Sequence, residues 1–168
     1  VIYTILNALT LHDALPIYCA RQVALFEAQL VIAREHGLPV IIHARRCHAD
    51  IVRSLQRVGQ VAGGIVHAFS GSVEEALQYR RLGLHLGLGG PLTWPQAVRL
   101  HRVARELPRD AFVLETDAPA MPLAGFQGQV NTPAQLRRVF AAFCQLRPEP
   151  PTEIARQLWC NTVQVLGD

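Results

Sequence analysis

The chain has 168 residues, half of them hydrophobic, with 17% charged, 7% aromatic and a net charge of +3 at neutral pH. That length and apolar share suit one globular domain, or part of a larger one, and exclude intrinsic disorder, a collagen-like repeat and a disulfide scaffold. All 16 basic residues are arginine, and the small positive charge permits a phosphate-bearing partner without requiring one.

The first residue is Val, so the natural start is expected to lie elsewhere. No apolar run reaches the ~18 residues of a membrane span, because Asn7, His12, Asp13 and Pro16 break the N-terminal one. Nothing basic precedes that run, which argues against a signal peptide. Cys19, Cys47, Cys144 and Cys160 show no CxxC spacing, so reduced thiols in a cytoplasmic protein are expected. Neither a membrane nor a protein partner is expected.

Val23, Phe26, Leu30 and Ala33 repeat at helical spacing over residues 20–36, with Gly37 as the stop and Pro39 beyond it. Val40-Ile41-Ile42-His43-Ala44 is a short, almost wholly apolar run that suits a strand covered on both faces. Residues 47–58 predict a helix ending near Gly59, and Gly64 to Phe69 the second strand. Ser72-x-x-Glu75 is a capping box that opens a helix ending at Gly83. Leu84 to Leu88 is the third strand. Pro95 is expected in the first turn of the next helix, which runs to about Leu107. Ala111 to Glu115 is the fourth strand, and residues 116–131 form a loop rich in Pro and Gly. Long loops inside compact domains carry function. Thr132 as N-cap and Pro133 open another helix, and the last begins near Thr152. Strands alternating with helices predict an α/β fold with parallel strands. Half of a (β/α)8 barrel and a small doubly wound sheet both satisfy that order.

Three strands end in an ionisable group: His43, His67 and Asp117. In parallel α/β folds those ends open onto one face, where ligands bind. Two imidazoles and a carboxylate suit a divalent ion such as zinc or manganese, and a carboxylate beside such an ion can act as base. Glu115 stands two residues before Asp117, on the same side of an extended segment. Two acids side by side repel unless a cation or an arginine lies between them, which is expected to favour a metal nearby. Arg45 offers a fork shaped for phosphate or, equally, a solvated turn. His48 follows the first strand closely enough to face the site. His36, His101, Arg80, Arg81, Arg137 and Arg138 fall on predicted helices as surface groups, and His85 lies inside a strand.

Three segments together resemble one family. They are Leu38-Pro39-Val40-Ile41-Ile42-His43-Ala44-Arg45, Val66-His67-Ala68-Phe69-Ser70-Gly71-Ser72 and Leu114-Glu115-Thr116-Asp117-Ala118-Pro119. In order and separation they are similar to the TatD family of metal-dependent deoxyribonucleases, within the amidohydrolase-type TIM barrels. The likeness runs from about residue 20 to the C-terminus. It implies that residues 18–168 form the C-terminal half of such a barrel. It implies that His43 and His67 are metal ligands at the ends of the fifth and sixth barrel strands. Asp117 is then the catalytic acid after the last strand, binding metal and activating water. Arg45, His48, Glu115 and Ser70 fall to substrate binding or to support of the ligands. One or two divalent ions (Mg, Mn or Zn) and DNA or another phosphodiester substrate follow from the same resemblance. The same cradle would also serve a small ester, lactone or amide.

The family's His-x-His pair on its first strand, and its bridging Glu after the fourth, have no counterpart here. About 90 residues of a ~250-residue barrel are therefore expected to be missing, and the alternative to an active hydrolase is an inactive fragment. Residues 1–17 resemble nothing in the family. The codons possible for Leu11-His12-Asp13-Ala14-Leu15-Pro16-Ile17 can spell the end of a common sequencing adapter, so that segment is expected not to be natural protein.

Overall fold

The computed structural model describes residues 2–7 and 16–167, with side chains from Ala20 onward. Residues 8–15, which hold His12 and most of the Leu11–Ile17 segment, lie outside the described residues. Five strands form one parallel sheet in chain order: β1 (Ile2–Asn7), β2 (Val40–Arg45), β3 (Gly64–His67), β4 (Leu84–Leu88) and β5 (Phe112–Leu114). Each of the first four is followed by a helix: α1 (Pro16–Glu35), α2 (His48–Val58), α3 (Val73–Arg81) and α4 (Val98–Glu106). Two more, α5 (Leu136–Gln145) and α6 (Pro151–Leu166), follow β5. A doubly wound sheet reverses its strand order at a switch point. This one never reverses, which is the winding of a (β/α) barrel.

Alternation along the strands sorts the side chains. Val40, Ile42, Val66, Leu84, Leu86, Leu88 and Phe112 enter the main core with Phe26 and Leu30 of α1, Leu55 of α2, Tyr79 of α3 and Phe143 of α5. Full burial of each such side chain contributes about 1.5–3 kcal/mol. Ile65 and Val113 belong to the opposite face and meet Val165 there. His43, His67, His85, Gly87 and Glu115 share the parity of that second face.

Patterning predicts no element over residues 1–17, yet β1 pairs with β2 along its length, with Ile5 opposite His43. The β-branched and aromatic run Ile2-Tyr3-Thr4-Ile5 is the strand signal. The capping box forms as expected: Ser72 Oγ accepts from the Glu75 N–H at 3.2 Å, and the Glu75 carboxylate accepts from the Ser72 N–H at 2.7 Å. Pro95 is not in the first turn of α4. A 3-10 turn over Gly90–Thr93 comes first, and α4 starts at Val98. The Trp94 indole donates to Pro122 O at 3.1 Å and the Ala97 N–H to Trp94 O at 3.0 Å, so this stretch is shaped by the later loop rather than by helix propensity. Thr132 makes no side-chain cap, and Pro133–Gln135 forms another 3-10 turn before α5.

Candidate metal centre

β3 stops at His67 because Ala68 adopts a left-handed φ of 49°. A non-glycine residue there costs on the order of 1 kcal/mol. Two hydrogen bonds hold the turn. The Ala68 N–H donates to Glu115 Oε1 at 2.6 Å, and the Phe69 N–H donates to Gly87 O at 3.0 Å. Glu115 follows β5 and must cross β4 to reach Ala68. Gly87 makes the crossing possible, since a Cβ at that position would collide with Glu115 Oε2.

His67 sits between two carboxylates. Its Nδ1–H donates to Glu115 Oε2 at 3.0 Å, and its Nε2 lies 3.4 Å from Asp117 Oδ1. The hydrogen bond to Glu115 raises the His67 pKa, helped by the charges of Glu115 and Asp117 and opposed by burial. The His43 ring lies 5.5 Å from the His67 ring, tilted by 37°, and the two residues are in register across β2 and β3. The extended geometry expected for Glu115 and Asp117 is not what forms. β5 ends at Leu114 and Asp117 turns back with φ 55°. The two acids therefore do not lie side by side. They take opposite nitrogens of one imidazole.

The loop carrying Asp117 is closed at its base by a residue that the sequence marks only as the loop's end. Asn131 is buried, and its Nδ2 donates to Thr116 O at 2.6 Å, Ala120 O at 2.8 Å and Met121 O at 3.2 Å. Its Oδ1 accepts from the Thr132 N–H at 2.9 Å. Gly90 lies directly under the Met121 carbonyl, with no room for a Cβ. The available signal is an Asn closing a Pro/Gly-rich segment, since Asn side chains commonly bond loop backbone.

The remaining predicted residues are not brought to this cluster. Arg45 ends β2 exposed, with no hydrogen-bond or ion-pair partner among the described residues. Ser70 is exposed on a cavity of about 350 Å³ shared with Gln96 and Arg99. His48 is held by Tyr79 of α3 and by Phe69. Its Nδ1 and the buried Tyr79 hydroxyl share a 2.9 Å hydrogen bond, and its ring lies 5.6 Å from that of Phe69. Burial pushes the His48 pKa down, with the Glu75 charge opposing, and burial pushes the Tyr79 phenol far up. His101 is no solvated surface group, as its Nε2 is 2.9 Å from Leu92 O. Arg138 lies over the Phe126 ring at 4.7 Å.

Among the described residues no three His, Cys, Asp or Glu side chains already surround one point as a metal cage. The donor chemistry nevertheless fits a divalent ion. Two donors on one tetrahedral ion stand about 3.3 Å apart, which matches His67 Nε2 and Asp117 Oδ1 at 3.4 Å. Two imidazoles sharing an ion have centroids about 5 Å apart, close to the 5.5 Å of His43 and His67. Metal-ligating histidines donate their second N–H to a carboxylate, as His67 does to Glu115. Such a donor set on a singly wound parallel sheet defines the class: a (β/α)-type domain whose strand ends present side chains of the kind that suit a divalent ion.

Residues 13–167 match the family model described as TatD related DNase. The chain belongs to that family. It is 47% identical over 142 residues to the Escherichia coli protein named "uncharacterized metal-dependent hydrolase YjjV", covering 84% of this chain and 55% of that protein. A Haemophilus influenzae protein also named a metal-dependent hydrolase is 42% identical, over 88% of this chain and 56% of its own length. A 3'-5' ssDNA/RNA exonuclease TatD from Edwardsiella piscicida is 34% identical over 60% of this chain and 39% of its own. The crystal structure of the E. coli TatD homologue YjjV superposes with a TM-score of 0.86 at 43% identity, covering 93% of this chain and 60% of that one. The chain thus spans about half the length of the curated relatives it matches. Among the described residues no helix is long and apolar enough to cross a membrane, and Cys47, Cys144 and Cys160 form no disulfide with one another.

Proposed function

We propose that this chain carries the C-terminal half of a (β/α)8 metal-dependent phosphodiesterase that acts on DNA in the cytoplasm. The carrying observation is His67 held between Glu115 and Asp117, with the His43 ring beside it. In this reading His67 Nε2, Asp117 and His43 hold one or two divalent ions, Mg, Mn or Zn. When bound, such an ion lowers the pKa of water and neutralises charge on a phosphoryl oxygen. Glu115 keeps the His67 proton on Nδ1, so that Nε2 presents its lone pair. Asp117 offers a carboxylate oxygen to take the proton of an attacking water. Arg45 and Arg46 are exposed at the same strand end, without ion-pair partners among the described residues, and suit the substrate's phosphates. Ser70 lies two residues past Ala68 and would bear on the same substrate.

Release of mononucleotides from a labelled single-stranded oligonucleotide, with Mn²⁺ or Mg²⁺ added, tests the proposal, alongside a panel of small esters, lactones and amides. Metal-dependent nucleotide release is the expected result. Turnover of a small ester with no nucleotide release would overturn the DNA reading.

A further inference from the structure

We propose that His48 is a positioning residue for the candidate metal centre: acting through Phe69, it holds the Ala68 amide on Glu115 and thereby the His67 ring. The inference rests on the reading of His67 as a metal donor. His48 opens α2, and among the described residues no hydrogen bond or ring contact joins it to His43, His67 or Asp117. It closes a triangle of rings instead. Its centroid lies 5.6 Å from Phe69 and 5.7 Å from Tyr79, and Phe69 meets Tyr79 edge-on at 6.2 Å. Tyr79 is fully buried, and its hydroxyl is bonded to His48 Nδ1 at 2.9 Å. A phenylalanine at position 48 would fill the same space but strand that hydroxyl, and a buried unsatisfied polar group is costly. The imidazole is therefore the ring that both packs on Phe69 and satisfies Tyr79.

What Phe69 does explains why this matters at the mouth. Ala68 lies between His67, which is fixed in the β3 ladder, and Phe69, which is 2% exposed inside the triangle. Left-handed Ala68 persists only where its surroundings over-determine it. The far side is closed too, because Gly71 is packed against the Phe69 ring and Glu75, with no room for a Cβ. Loosening Phe69 frees Ala68 to leave φ 49°. Glu115 then loses one of its two hydrogen bonds, and the His67 ring loses the carboxylate that orients it.

Native-state hydrogen exchange and imidazole NMR on the whole chain, without added metal, test this. His48→Ala is expected to speed exchange of the Ala68 amide roughly tenfold, to leave the Leu86 amide of β4 nearly unchanged, and to shift the His67 nitrogen signals. Tyr79→Phe removes a single oxygen and carries the same test with a smaller effect, should His48→Ala fold poorly. The double variant His48→Phe, Tyr79→Phe keeps three rings and removes the Tyr79 hydroxyl together with the imidazole nitrogen that bonds it, so it is expected to return Ala68 to wild-type exchange. Equal acceleration of Ala68 and Leu86 would show general destabilisation and overturn the proposal, as would an unchanged Ala68. Mn²⁺ titration followed by electron paramagnetic resonance separates the two readings. A wild-type chain that binds no Mn²⁺ counts against the metal donor, while the exchange data still decide the link from His48 to Ala68.

Discussion

The two sides of the strand ends are built differently. On the β3–β5 side both nitrogens of His67 and both oxygens of Glu115 have partners, and the Asp117 loop is tied at its base by Asn131. On the β2 side His43 makes a ring contact with His67, and Arg45 ends the strand exposed without a partner among the described residues. The first side is a set of donors already oriented by the fold. On the second, no described residue bonds the Arg45 guanidinium or the His43 ring nitrogens, which leaves them to answer whatever binds. Removing a group from the first side should cost stability and function together, whereas on the second it should cost function alone.

Glu115→Ala is the hardest test of that contrast. It leaves the Ala68 N–H and His67 Nδ1–H without acceptors, at an expected loss of about 3 kcal/mol in urea unfolding. Metal affinity should fall about 10–100-fold, as it does when a ligand histidine loses its carboxylate. A loss below about 1 kcal/mol would erase the difference between the sides. Gly87→Ala should cost about 1–3 kcal/mol by overpacking against Glu115. Combined with Glu115→Ala the two costs should not add, because the collision disappears with the carboxylate. Asn131→Ala should lose about 1–2 kcal/mol and speed proteolytic nicking within residues 122–130. His43→Ala should stay within about 0.5–1 kcal/mol of wild type while weakening Mn²⁺ binding by roughly tenfold. A larger stability loss there would show that the β2 side is tied into the fold as firmly as the β5 side.

The smallest effect belongs to the same sheet face away from the mouth. His85 is buried, and its Nδ1 has no partner among the described residues. Burial lowers its pKa, with Arg80 acting in the same direction and Asp110 opposing. A histidine kept neutral in the fold binds protons more readily when unfolded. Stability should therefore fall as pH drops through about 6.5, the ordinary value. His85→Gln should lack this part of the loss, which urea midpoints at about pH 7.5 and about pH 5.5 measure.

Much of the scaffold is written locally. The apolar run Val40-Ile41-Ile42, the Ser72–Glu75 box and Leu84 to Leu88 fall within a residue or two of β2, α3 and β4. The strand-end placement of His43 and His67 follows from those runs. What stays hidden depends on distant partners. The reach of Glu115 to Ala68 needs Gly87, a residue of another strand. Chain proximity to β2 is the only local guide to His48 and points it at the mouth, yet Tyr79 of α3 claims its ring. The start of α4 falls later than Pro95 suggests because Trp94 answers to Pro122, 28 residues later.

The Asn131 amide has a consequence for how such a site can change over generations. It gathers the Thr116, Ala120 and Met121 carbonyls onto one side chain, so the two feet of the loop are pinned together. Leu123 returns to the core and the Ala124 N–H to Thr93, so only residues 127–130 stay exposed beyond the pin. Those four residues can change in length and composition with little strain reaching Asp117. A single amide thereby separates the position of the acid from the drift of the loop tip.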